Sequence, residues 1–120
     1  MTFNAKEFIE NSVKDILGIE DLTNRTFKSF GEDDDYFWLC AVAADLDIEL
    51  GYYDKATVIE VFEKQKTIDD LIAIAEKIYQ GIEAGKIYLE KDVPEDYDPL
   101  EEMSKGLPAD KYDIPKKLLV

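Results

Sequence analysis

Phe3, Phe8, Ile9, Val13, Ile16 and Leu17 return at helical spacing, with Lys6, Glu7, Glu10, Asn11 and Lys14 between them. The pattern predicts an amphipathic first helix ending at Gly18, a residue suited to a left-handed C-terminal cap. Residues 19–32 lose the period but keep Ile19, Leu22, Phe27 and Phe30, as a long loop pegged to a core would. Asp33, Asp34 and Asp35 then lead into YFWLCAVAADL. Carboxylates there accept backbone N–H bonds and face the positive end of a helix, so the run predicts a helix start. This second helix is apolar on most sides and should be the most buried element. It runs into Leu46, Ile48 and Leu50, which alternate before Gly51 breaks the chain.

A third helix is expected from about Asp54, carrying Val58, Ile59, Val61 and Phe62. The fourth is the clearest. Thr67 and Asp70 have the spacing of a capping box, and Ile68, Leu71, Ile72, Ala75, Ile78 and Tyr79 form one stripe. Gly81 and Gly85 mark its expected end, and GKIYLEKD (85–92) could form a short strand. All four prolines lie beyond residue 93, which separates a helical body (1–84) from a proline-containing segment (85–120). That segment keeps Tyr97, Leu100, Met103, Leu107, Tyr112 and Ile114 at irregular spacing, so it should pack on the body or on a partner. The fold class expected is all-α.

Composition narrows the chemistry. A chain of 120 residues with 46% apolar content can build one core without disulfide or metal. Cys40 is the only cysteine and sits among Trp38, Leu39, Ala41 and Val42, as a small buried hydrophobe rather than a nucleophile. No histidine is present, which removes the commonest general base and most zinc sites. The amino terminus lacks a basic region followed by a long apolar run, so no export signal is expected, nor a membrane span. A free thiol without a disulfide framework fits the cytoplasm. The net charge of -14 disfavours nucleic acid and anionic membranes as partners and favours a basic protein.

The order of parts, with a long loop before a buried second helix, a short third and a regular fourth, resembles the acyl carrier protein fold. VKDILGIEDLTNRTFKSFGEDD is similar to that family's first helix and loop, LDIEL (46–50) to the end of its second helix, and KTIDDLIAIAEKI (66–78) to the start of its last. The resemblance covers roughly residues 5–80. It implies a four-helix bundle with a long loop between helices one and two, here with an irregular C-terminal extension. The family's phosphopantetheine-bearing serine falls at Asp34 or Glu32, depending on the anchor chosen, and neither has a hydroxyl to modify. Carrier activity is therefore not expected, the alternative being a divergent acyl or peptidyl carrier modified at Ser29.

Other candidates are judged beside plainer roles. Glu32–Asp35 could ligate calcium or magnesium, but capping explains it without a metal. Asp69-Asp70 and Glu101-Glu102 read as solvated surface, because adjacent helical carboxylates point apart. Tyr52-Tyr53 combines apolar area with polar tips, as binding hot spots do, the plainer alternative being that one ring packs inward and the other covers the third helix. An acidic helical body with Tyr-Tyr entering a short third helix also resembles the colicin-type nuclease immunity proteins, which bind a basic toxin domain. The reading is thus a non-enzymatic interaction module without cofactor or metal, engaging a basic partner through Asp33, Asp34, Asp35, Tyr52, Tyr53 and Glu60.

Overall fold

The computed structural model describes residues 3–22 and 37–119. These form helices α1 (Ala5–Leu17), α2 (Phe37–Leu50), α3 (Lys55–Glu63), α4 (Ile68–Glu83) and the short α5 (Pro99–Ser104). No strand occurs among the described residues, so the chain is mainly helical as expected.

Helices α1, α3 and α4 are each started by a side chain at the mouth. The Asn4 side chain accepts the Glu7 N–H at 3.0 Å to open α1, leaving Phe3 outside the helix, stacked on Tyr79. Asp54 accepts the Thr57 N–H to open α3. At α4 the Thr67 hydroxyl accepts the Asp70 N–H, and the Asp70 carboxylate accepts the Thr67 N–H in return. Such caps satisfy donors that a helix leaves open, at about 1 kcal/mol each. Gly18, at φ 66, closes α1 in the left-handed region that other residues enter at a cost.

α1 packs against α2 and α4, and α2 against α3. The core between them holds Ile9, Val13, Leu39, Val42, Leu46, Phe62, Leu71 and Ile78, all essentially without solvent contact. A second tie joins α1 to α2, where the Ser12 hydroxyl donates to Asp45 at 2.7 Å. Ile114 and Leu119, from the far end of the chain, complete the same core.

LDIEL ends the second helix, as expected: α2 continues to Leu50, so its turn buries Leu46 and leaves Ile48 82% exposed. Two other expectations need correction. Gly81 does not end α4, which runs two residues further. It is a buried helical position over which Ile87 lies, and a Cβ there would meet the Ile87 side chain at 2.5 Å. GKIYLEKD forms no strand. A single antiparallel bridge pairs Tyr52 with Leu89, through Tyr53 N–H to Tyr88 O and Glu90 N–H to Gly51 O, before a 3₁₀ turn at Glu90–Asp92.

Candidate interaction face

The residues entering α3 sit where three parts of the chain meet. Gly51, at φ 74, turns the backbone out of α2 and delivers two tyrosines in opposite directions. Tyr52 points inward. It is 1% exposed, and its hydroxyl donates to Ala43 O at 2.7 Å. Burial, then the nearby Asp47 carboxylate, push its phenol far above the ordinary range. Tyr52 is therefore a core residue and cannot touch a partner, which corrects its place in the expected binding set. The physical reason is the strand-like step at Gly51–Tyr53, which sends neighbouring side chains to opposite faces.

Tyr53 points outward and is half-buried in a cluster of four tyrosines. Tyr112 stands at its centre. The rings of Tyr53, Tyr88 and Tyr97 meet it edge-on, with centroids 6.1, 5.0 and 4.8 Å away. Edge-to-face contacts of this kind place the positive ring edge on the negative face. The Tyr97 hydroxyl donates to Ala109 O, and the Lys111 ammonium lies 5.4 Å from the Tyr112 ring centre. Desolvation raises the Tyr97 phenol, with Tyr53 and Glu102 adding to it. The face can stack and hydrogen-bond.

Asp54 holds the cluster's two halves together. One carboxylate oxygen caps α3 and the other accepts the buried Ile114 N–H at 2.8 Å. This fixes Tyr112, two residues before Ile114, against Tyr53. Burial and the repulsion of Asp54 and Asp110 raise the carboxyl of the adjacent Asp113. Glu60, on α3, is held by Lys116 at 2.7 Å and Lys64 at 3.5 Å, and the Lys116 hydrogen bond lowers its carboxyl. It is thus already paired within the chain, and a partner's cation would compete with Lys116.

Asp33, Asp34 and Asp35, together with Ser29, lie outside the described residues. Of the expected set, Tyr53 joins Tyr88, Tyr97 and Tyr112 in one ring cluster, whereas Glu60 is tied to Lys116 and Lys64. Sequence reading missed this grouping because the tyrosines share no period. The only signal was that tyrosines recur in a segment where carboxylates outnumber lysines.

Among the described residues no group of three or more histidine, cysteine, aspartate or glutamate side chains could hold a metal ion. No helix there is long and apolar enough to cross a membrane. Comparison with known proteins finds no matching family model, no matching curated protein and no matching solved structure.

Proposed function

We propose that the protein is a non-catalytic, acidic interaction module that binds a basic protein. Its most concrete form is an immunity or inhibitor protein that blocks a nuclease-type toxin domain by covering its cationic surface. The body would be a four-helix bundle of acyl-carrier-like order, with the C-terminal segment completing the binding face.

The observation that carries this reading is the cluster of four tyrosines on an acidic chain. Tyrosine rings supply large, stiff contact area at little entropic cost, and they accept guanidinium or ammonium groups over their faces. The charge of -14 would speed encounter with a cationic partner, while the rings would set residence time. Tyr53 and Tyr112 are the contacts expected to matter most, with Glu60 at the rim.

The test is titration against purified basic nuclease toxin domains at low and high salt. Binding of one member that weakens with salt, falls at least about tenfold with Tyr53→Ala and stops its cleavage supports the reading. Association indifferent to ionic strength, or cleavage that continues at excess inhibitor, would overturn it.

A further inference from the structure

A groove between α1 and the last turns of α2 is lined by none of the four clustered tyrosines. It consists of two adjoining clefts, about 360 and 490 Å³, which share Phe8, Asn11 and Glu49 as common lining. Phe3, Phe8, Tyr79 and Leu50 make one end apolar, while at the other the Ser12–Asp45 hydrogen bond gives a polar floor beside the exposed Ile48. Phe3 stacks on Tyr79 at 5.4 Å and tilts against Phe8 at 5.6 Å, so the ring wall is braced before anything binds. Its rim is acidic, with Glu7, Glu49, Asp15 and Asp45 distributed along both helices. No lysine or arginine is among the described residues that line it. The last turn of α2 also carries no basic residue, so its negative end adds to the attraction for cations near Leu50.

Shape and charge together select an occupant. From Asn4 to Asp15 the α1 wall runs about 16 Å at 1.5 Å per residue, the length of three helical turns. An apolar end between two acidic rims, with Ile48 exposed farther along, is complementary to a helix with one apolar stripe flanked by lysine or arginine. Ile48, standing 82% exposed beside the floor, is the knob that such a stripe would cover. A second copy of this chain is a poor fit, since two acidic rims would face each other.

We propose that this groove receives a basic amphipathic helix of a partner protein. The proposal rests on the reading of the partner as basic and adds a second, helix-specific contact to it. The probe is a 14-residue amidated peptide with leucines at i, i+3, i+4 and i+7 and lysines alongside, tested against a scrambled peptide of equal composition. Titration at low salt should show the patterned peptide binding at least about tenfold more tightly than the scrambled one. Ile48→Asp and Glu49→Lys should each weaken it about tenfold, whereas Glu83→Lys, the same charge change at the exposed end of α4, should leave it within about twofold. Both test residues are exposed, so an unchanged melting temperature certifies that the fold is intact. Equal binding of the two peptides, or indifference to Ile48→Asp and Glu49→Lys, overturns the groove. A dimer of the free protein that Ile48→Asp dissociates also overturns it, in favour of a second copy. If a basic toxin domain still binds in those cases, the interaction reading stands and only the groove is wrong. If neither peptide nor basic domain binds at low salt, both fall.

Discussion

α4 and the segment from Tyr88 to Leu119 lie against the same body, yet they are held by different forces. α4 buries Ile68, Leu71, Ile74, Ala75 and Ile78 along one stripe, and its first turn is capped from both sides. The C-terminal segment buries only Val93, Ile114 and Leu119 deeply, and Leu100, Met103 and Leu107 stay at least half exposed. Its remaining links to the body are a few polar contacts: the backbone pair Tyr53–Tyr88 and Gly51–Glu90, Lys55 to Glu90, Ile114 to Asp54, and Lys116 to Glu60. Burial spread over many residues tolerates loss of any one contact poorly but locally. An element held at a few points is moved as a whole when one point is removed. The tyrosine face belongs to the second kind, because Tyr88, Tyr97 and Tyr112 all come from that segment.

The contrast is broken most strongly from the α4 side. Leu71 is fully buried, so Leu71→Ala should cost about 2–5 kcal/mol in urea unfolding, from lost transfer energy and the cavity left behind. It should leave the near-ultraviolet tyrosine signal of the folded state intact. Asp54→Ala is the corresponding change on the other side, worth about 2–3 kcal/mol, since it removes a helix cap and strands a buried N–H. Asp54→Asn should recover only part of this. An amide offers one acceptor oxygen where the carboxylate uses two. Either change should loosen Tyr112 from Tyr53, visible in the same tyrosine signal before global unfolding.

Gly81→Ala tests the seam between the two regions. In a free helix it would stabilise by about 1 kcal/mol. Here the added methyl meets Ile87 at 2.5 and 2.8 Å, so the expected outcome is a net loss of about 1 kcal/mol. A gain would mean that Ile87 yields freely and the seam is loose.

The smallest effect concerns Asp113. Its carboxyl is raised in the folded state, first by burial and then by Asp54 and Asp110. A raised acid destabilises the native state once it ionises, so the loss sets in as pH climbs from the unfolded value through the folded one. Asp113→Asn should therefore gain about 0.3 kcal/mol at pH 7 and nothing below about pH 4. Glu60 has the opposite sign. Lowered chiefly by Lys116, it contributes above the unfolded carboxylate range and loses that contribution as pH falls through its folded value.

The helical body was legible because its signals are local. Gly18, the Asp54 cap, the Thr67–Asp70 pair and the stripe of α4 each lie within a few residues of what they control. Where reading failed, the cause lay at a distance. The Tyr52-Tyr53 dipeptide does not say which ring turns inward, because the bridge that decides it is made with Tyr88 and Glu90. Gly81 looked like a terminator because nothing nearby shows that Ile87 folds back on it. The second duty of Asp54 is invisible for the same reason, its partner being 60 positions away.

That last bond also bears on the order of events during folding. Helices α1 to α4 can assemble from residues that precede Tyr88, whereas the bond from Ile114 to Asp54 closes a loop whose entropy is spent on one late contact. Contacts absent from the folding barrier govern how fast a native state comes apart, not how fast it forms. The carboxylate that opens α3 is thus expected to act as a timer too, Asp54→Asn speeding unfolding more than it slows refolding.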